Sequence, residues 1–227
     1  MATTQQISRT LAILIWLTAP TLYLGIERYA SRMFSPYYSY LHRFTSDLGI
    51  PYAYNDPDSG HLNNSWRAVQ MNLNFAVNGF LFLVGQIFLL RATGQKGFFT
   101  ARVVIAVLYC IGVILVAAVP GGPKEHESGN VRWHSIGAIL AICGGNINSL
   151  LAGFATPADS KPVYRRICLL LGTIGIFGPG LYPVLGSWEF KGFWQRMSIY
   201  PTQAWEYSTA VSLIFELLQT GRSVKKD

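Results

Sequence analysis

The sequence predicts an all-α integral membrane protein, a single domain built as a bundle of six transmembrane helices. Of its 227 residues, 51% are hydrophobic and only 13% are charged, and the mean hydropathy is +0.29. These values are too apolar for an ordinary soluble domain. Six stretches approach the ~20 apolar residues that a membrane-spanning helix needs, and together they leave no room for a second domain.

Six stretches are predicted to form these helices. They cover about residues 10–30, 68–90, 102–119, 133–155, 165–185 and 203–219. A helix of a soluble protein would show a polar face every three to four residues, and these stretches do not. We therefore expect the helices to pack against one another within a membrane.

The first helix is expected to remain as a membrane span rather than to be removed as a signal peptide. Ser8 can cap its start, and no small-residue cleavage site follows its apolar stretch. At its far end the helix runs into Glu27 and Arg28. Glu27 is either a charge that anchors the helix at the interface or a member of a functional site.

The basic residues indicate which side of the membrane each loop faces. If both termini share one side, that side carries ten basic and three acidic residues, a net charge of +7, against a net charge of zero on the other side. The excess lies in short loops at helix ends, where positive charges mark the cytosolic face. We therefore predict cytosolic termini, and we interpret the excess charge as a topology signal rather than as a nucleic-acid-binding surface.

The long loop between the first and second helices contains the motif around which a site is predicted. Residues 42–49 have the sequence His-Arg-Phe-Thr-Ser-Asp-Leu-Gly. Asp47 can bond to its own backbone and Gly49 can adopt a positive φ, which is typical of a turn. We expect this loop to be ordered, to fold back onto the mouth of the bundle and to place Asp47 beside His134 and Glu206.

Amide side chains interrupt the second and fourth helices. Asn74 and Asn78 lie four residues apart, on one face of the second helix, and Asn146 follows two glycines in the fourth. Polar groups left unsatisfied inside a membrane cost several kcal/mol. These amides either hydrogen-bond to neighbouring helices or form the walls of a polar pocket, and the sequence is compatible with both.

The last two helices carry a break and a buried acid. Residues 178–180 are Gly-Pro-Gly and are followed by Tyr182, so the fifth helix is predicted to be kinked or broken. Such a break is tolerated where neighbours or a cavity satisfy the freed backbone groups. The sixth helix opens with Trp205 and Glu206. Glu206 is either an acid held among aromatic side chains or a charge favoured by the helix amino terminus.

No metal or cofactor site is expected. The three cysteines lie inside predicted helices without a close pair or a metal-binding spacing, so we interpret them as small buried residues. No two of the four histidines lie four positions apart, as paired zinc ligands on one helix would. His134, which opens the fourth helix, is then either a proton donor or acceptor near neutral pH or a solvated interfacial residue.

Four short features occur in a recognisable order. They are Ser-Asp-Leu-Gly at residues 46–49, an asparagine in the second helix, Pro120 at the end of the third and His134 at the start of the fourth. In this order the chain resembles family 998 of the domains of unknown function and, more distantly, the damage-regulated autophagy modulators. The likeness covers about residues 10–185. It implies a six-helix membrane architecture and singles out Ser46, Asp47 and His134, but it supplies no reaction.

Three classes of function are compatible with these features. The first is an integral-membrane enzyme that cyclises or isomerises a lipid-soluble substrate by acid–base chemistry, and an isoprenoid or its epoxide is one candidate substrate. Small integral-membrane terpene cyclases are comparable in size, although no motif matches theirs. The second class is a metal-dependent lipid hydrolase. The third is a non-catalytic lipid-binding or structural membrane protein.

The enzyme hypothesis assigns residues to two roles, in a pocket of roughly a few hundred Å³ on the non-cytosolic side. The expected acids and bases are Asp47, His134, Glu206 and Glu27. The expected substrate-binding residues are Ser46, Asn74, Asn78, Asn146, Tyr182 and Trp205. The expected partners are membrane lipid and the lipid-soluble substrate, without nucleic acid, metal or cofactor.

Overall fold

Helices dominate the computed structural model, which describes residues 2–56, 60–94, 97–178 and 188–223. Within these residues the helices are α1 (Ala2–Arg32), α2 (Ala68–Thr93), α3 (Phe99–Ala118), α4 (Pro123–Glu127), α5 (Val131–Ala155), α6 (Pro162–Phe177) and α7 (Lys191–Ser223). Three short strands, β1 (Phe34–Ser35), β2 (Tyr54–Asn55) and β3 (Leu62–Ser65), lie in the loop between α1 and α2. The predicted all-α class is confirmed.

Four of the helices are long and apolar enough to cross a membrane, judged by length and composition. They are α1 from Thr4, α2, α3 and α5, and their most apolar 18-residue windows have mean hydropathies between 1.5 and 2.5. In the described part of the chain, α6 and α7 do not meet the same criterion. The predicted number of six crossings therefore stays a prediction.

The six long helices pack side by side in a closed ring. Each contacts the next along the chain, from α1 through α2, α3, α5 and α6 to α7, and α7 returns to contact α1. Helix α5 also contacts α7 across the ring. The start of α1 and the end of α7 lie at the same end of the bundle, where Arg9 of α1 is 3.5 Å from Glu216 of α7.

The last helix begins earlier than the sequence predicts. Its expected start was residue 203, after Pro201, but α7 starts at Lys191 and continues through that proline. Proline removes one backbone hydrogen bond and normally ends or kinks a helix. Here the turns before Pro201 are held by side-chain contacts to the α1–α2 loop, which local sequence does not reveal.

Aromatic side chains fill the centre of the ring. The indole of Trp205 is fully buried, 5.5 Å from the Trp16 ring and 5.9 Å from the Phe82 ring. Trp16 and Phe82 meet edge to face at 5.4 Å. Edge-to-face pairs of this kind stabilise a core beyond the area they bury. Trp205, which was predicted to bind substrate, is thus placed in the packed core.

Two glycines bring the backbones of α3 and α5 into direct contact. A methyl group added to Gly112 would lie 2.6 Å from the carbonyl oxygen of Gly137, and one added to Gly137 would lie 2.7 Å from that of Gly112. Only a residue without a side chain fits such an approach. This contact fixes the start of α5, and with it His134, against the end of α3.

The loop between α1 and α2 covers one end of the ring. Its strands form a small antiparallel sheet in the order β1-β3-β2, and a 3-10 turn spans Thr45–Gly49. Leu48 is fully buried and Ile50 is 2% exposed. Burial of these side chains against the helices gives the loop a hydrophobic contact of its own, so the turn that contains Asp47 is packed on the bundle.

Candidate functional site

An inner cavity of about 60 Å³ lies within the ring, directly beneath the loop. Most of its wall is apolar, from side chains such as Phe75, Val113 and Ile199. The polar residues that line it are Thr45, Ser46, His134, Gln195 and Gln203. The cavity is smaller than the expected few hundred Å³, because the aromatic and branched side chains of six closely packed helices occupy most of the space.

An outer groove of about 740 Å³ lies between the loop and the start of α5. Its polar side is lined by Asp47, Asp56 and Lys191, and its apolar side includes Val131 and Ile139 of α5. Ser46, His134, Ala138 and Gln195 line both the outer groove and the inner cavity. These four residues therefore form the boundary between a large amphipathic groove and a small inner cavity.

His134 is held in one orientation by the end of α3. Its Nδ1 lies 2.7 Å from the carbonyl oxygen of Val119. A carbonyl can only accept, so Nδ1 carries a proton and Nε2 of the neutral ring keeps a lone pair. A methyl group built on Gly121 would be 3.1 Å from Nε2, and Gly121 lines the outer groove. The nitrogen that can accept a proton is therefore on the groove side.

Asp47 lies at the same groove, in the 3-10 turn. Its Oδ2 accepts a hydrogen bond from the backbone N–H of Phe44 at 3.1 Å, and the side chain is half-buried. Burial raises the pKa of Asp47 to about 6, although the nearby cations Lys191 and Arg43 oppose this effect. A carboxyl with this pKa can exchange a proton near neutral pH. The structure thus brings Asp47 and His134 to one groove.

Glu206 lies deeper than these two residues. It is 2% exposed, and its Oε2 has no hydrogen-bond partner within the described residues. It does not belong to the described lining of the cavity or the groove, but Gln203, one helical turn earlier on α7, does line the cavity. Its electrostatic neighbour Tyr109 lines the cavity as well. Glu206 therefore lies behind residues that line the cavity and is not itself part of the described lining.

Glu27 occupies a different position, in a buried ion pair. Its Oε1 lies 2.7 Å from a guanidinium nitrogen of Arg196 and accepts a hydrogen bond from the hydroxyl of Thr45 at 3.2 Å. Its Oε2 accepts one from the hydroxyl of Tyr200 at 3.0 Å. Glu27 is 1% exposed and Arg196 is 5% exposed. Both carboxylate oxygens of Glu27 accept hydrogen bonds, which suits a structural role.

Arg196 was not recognised from the sequence. Besides Glu27, one of its guanidinium nitrogens donates to the carbonyl oxygens of Tyr40 at 2.8 Å and Arg43 at 2.9 Å. It also lies over the Tyr40 ring, 4.6 Å from the centroid. Arg196 thus joins α7 to α1 and to the loop that carries Asp47. No local signal could reveal this, because Glu27 and Arg196 are 169 positions apart.

Two of the three amides in α2 and α5 bond to backbone groups of neighbouring helices, and the third, Asn78, bonds within α2. Asn74 donates to the carbonyl oxygen of Tyr23 on α1 at 3.2 Å, and Asn78 donates to the side-chain oxygen of Asn74 at 2.8 Å. Asn146 donates to the carbonyl oxygen of Ser198 on α7 at 2.8 Å. None of these three asparagines belongs to the described lining of the inner cavity. The geometry of Asn74 and Asn146 favours interhelical hydrogen bonding over the pocket-wall alternative, and Asn78 supports this contact through Asn74.

Two further expectations concern substrate and metal. Ser46, expected to bind substrate, lines both the inner cavity and the outer groove. Tyr182, assigned the same role, lies outside the residues that the structure describes. In the described residues, no three His, Cys, Asp or Glu side chains come close enough together to hold a metal ion.

The long helices form a ring, and a cavity lies under a loop at one end of it. Because four of these helices are long and apolar enough to cross a membrane, the fold is that of a multi-helix membrane protein. Residues 10–212 match the model of a family described as Protein of unknown function (DUF998), and the chain belongs to this family. The family predicted from the sequence is therefore confirmed. A relationship to the damage-regulated autophagy modulators is not shown. No curated protein and no solved structure matches the chain significantly.

Proposed function

We propose that the protein is an integral-membrane enzyme that isomerises or cyclises a lipid-soluble substrate by acid–base chemistry. One observation carries this proposal: Ser46 and His134 line both an apolar cavity and a groove that also contains Asp47. Sites for small molecules are largely apolar with a few convergent polar groups. The substrate lies in the outer groove, and a short apolar part of it enters the inner cavity.

The proposed arrangement in the membrane has six crossing helices, cytosolic termini and a non-cytosolic site. One support for this arrangement is the net charge of +7 that the loops on one side would carry. The other is the contact of Arg9 with Glu216, which joins the start of α1 to the end of α7. The loop and the outer groove lie at the opposite end of the bundle. A lipid-soluble molecule would reach the groove past Ile139, an α5 side chain that is 62% exposed.

In the proposed reaction Asp47 is the acid and His134 is the base. The protonated carboxyl of Asp47 donates its proton to a substrate double bond or epoxide oxygen, which leaves a positive charge on a substrate carbon. Tyr23 and Phe75, whose rings line the inner cavity, stabilise that charge. Nε2 of His134 then takes a proton from an adjacent carbon, and the electrons of that C–H bond form a new double bond. Water in the groove then carries the proton from Nε2 of His134 back to the carboxylate of Asp47, so both groups are restored and product and substrate have the same elemental composition.

A non-catalytic lipid-binding or structural protein is the second candidate. It is favoured by one contact in particular, since the Asp47 carboxylate already accepts the Phe44 N–H at 3.1 Å and so serves to hold the turn. The same groove would then bind a lipid without changing it. A metal-dependent hydrolase receives no comparable support, because no set of three ligands occurs in the described part of the chain.

The test of the enzyme proposal uses the purified protein and a lipid extract of its native membrane. We expect wild-type protein to convert one lipid into a product of identical mass but different chromatographic retention. Replacing His134 by asparagine should lower this conversion by about 10²-fold or more. Asparagine can still donate to the Val119 carbonyl oxygen but has no base at the position of Nε2.

The matched control is His61→Asn, which alters an exposed histidine of the α1–α2 loop outside the described lining of groove and cavity. It should convert the lipid at the wild-type rate. If wild type and His134→Asn leave identical lipid profiles, the enzyme proposal fails. A lipid that binds to both proteins without being converted would establish the second candidate instead.

A further inference from the structure

A second groove lies at the opposite end of the bundle, between the start of α6 and the end of α7. We call it the basal groove. It has a volume of about 620 Å³ and includes Lys161, Val163, Val211, Phe215 and Glu216 in its lining. It shares none of its described lining with the inner cavity or the outer groove. The basal groove is therefore a candidate site separate from that of the proposed reaction.

One wall of the basal groove is apolar and open to the surroundings. Val163 is 67% exposed, Phe215 is 60% exposed and Val211 is 46% exposed. Several apolar side chains of this size exposed on one surface mark a contact with another apolar phase or with a partner. In a bundle with membrane-crossing helices, the apolar phase nearest to this wall is an acyl chain.

The polar end of the groove holds Lys161 and Glu216, and Arg9, which lies outside the described lining, contacts the same carboxylate. Lys161 forms an ion pair with Oε1 of Glu216, and a guanidinium nitrogen of Arg9 lies 3.5 Å from Oε2. The three side chains are between 19% and 29% exposed, so the cluster can be reached from outside. Among these three described side chains, the positive charges exceed the negative charge by one. Lys161 also precedes the amino terminus of α6, where the free N–H groups that follow Pro162 favour an anion.

We propose that the basal groove binds an acidic phospholipid. Its phosphate lies against Lys161 and Arg9, and an acyl chain follows Val163, Val211 and Phe215. In the lipid-free protein the carboxylate of Glu216 holds the two cations in place where the phosphate would bind. Glu216 therefore competes with the phosphate and lowers the affinity for lipid. Basic clusters at the cytosolic face meet the anionic lipids of that leaflet, which is the face predicted for this end.

The proposal is tested by thermal unfolding of the full-length protein in a neutral detergent, titrated with lipid. We expect phosphatidylglycerol to raise the Tm in a saturable way and phosphatidylcholine with the same acyl chains to have no such effect. Replacing Lys161 by glutamine should weaken the apparent affinity for phosphatidylglycerol about fivefold, which is the typical contribution of one basic residue near an anionic lipid surface. Replacing Glu216 by glutamine should strengthen it by a similar factor.

The control is Lys124→Gln, a charge change of the same sign at the opposite end of the bundle, which should leave the affinity unchanged. Glu216→Gln keeps the test decisive if Lys161→Gln does not fold, because a gain in affinity cannot come from misfolding. The proposal is overturned if phosphatidylcholine stabilises equally well, or if inorganic phosphate alone reproduces the effect. It is also overturned if neither substitution changes the affinity for phosphatidylglycerol.

Discussion

Replacing Arg196 by methionine is expected to lower the free energy of unfolding by about 3–5 kcal/mol, the usual cost of breaking a buried ion pair from one side. The substitution leaves the carboxylate of Glu27, 1% exposed, without its cation. It also removes the donors to the carbonyl oxygens of Tyr40 and Arg43, which fasten the loop to α7. The loss should appear as a large fall in Tm in a mild detergent.

Two further variants make this result specific to the ion pair. Arg28→Met changes an exposed arginine next to Glu27 and should alter the free energy of unfolding by less than about 0.5 kcal/mol. Glu27→Gln combined with Arg196→Met removes both charges and should recover part of the stability, since no unpaired buried charge remains. An Arg196→Met protein as stable as Arg28→Met would show that the ion pair does not hold the loop.

Asp47→Asn is expected to lower turnover by about 10²-fold or more, because it removes the proton that the reaction needs. The pKa of Asp47 is raised by burial to about 6, so the acidic form dominates below that pH. Wild-type activity should therefore fall as the pH rises through 6, and the residual activity of Asp47→Asn should not show this fall. The measurement is the pH profile of the isomer conversion.

The Tm of Asp47→Asn distinguishes this loss of turnover from a folding defect. A carboxyl whose pKa is raised in the folded protein stabilises it most at low pH, and this contribution is lost as the pH rises through about 6. Asparagine carries no charge to desolvate and can still accept from the Phe44 N–H. Asp47→Asn should thus unfold at pH 7 at the wild-type Tm or above it. Glu189→Gln, at an exposed glutamate, is the control and should keep wild-type turnover.

If Asp47→Asn turns over substrate at the wild-type rate, with the same pH profile, Asp47 is a residue of the turn only. The contact with the Phe44 N–H would then be its whole role. Loss of both turnover and stability in Asp47→Asn would likewise contradict the assignment, since the amide preserves that contact.

The helices and the turn at Asp47 could be predicted because their signals are local. Apolar runs of about 20 residues predict spans, and Ser-Asp-Leu-Gly predicts a turn, without knowledge of any partner. The positive φ expected at Gly49 was wrong, since the described glycines with a positive φ are Gly60, Gly94 and Gly129. The start of α7 could not be predicted in the same way. Its first turns are held by contacts of Arg196 to Glu27, Tyr40 and Arg43, which exist only once the ring has closed.

The hydrogen-bond partners of buried polar groups could not be predicted from the sequence either. The sequence places Asn74 and Asn146 on apolar helices, but a backbone carbonyl on another helix, such as that of Tyr23 or Ser198, carries no sequence signature. The pairing of His134 with Val119 is of the same kind. Residue type thus indicates which side chains can do chemistry, whereas packing decides which of them remain available for it.

The most direct measurement is the set of small molecules that copurify with the protein in a mild detergent, identified by mass spectrometry. The central claim is that the outer groove and the inner cavity form one site for a lipid-soluble ligand, and Ala138 lines both. Wild-type protein should retain an apolar molecule that Ala138→Trp lacks, while Ala101→Trp, on the exposed start of α3, should retain it. The same molecules in equal amounts with wild type and a folded Ala138→Trp would contradict the claim.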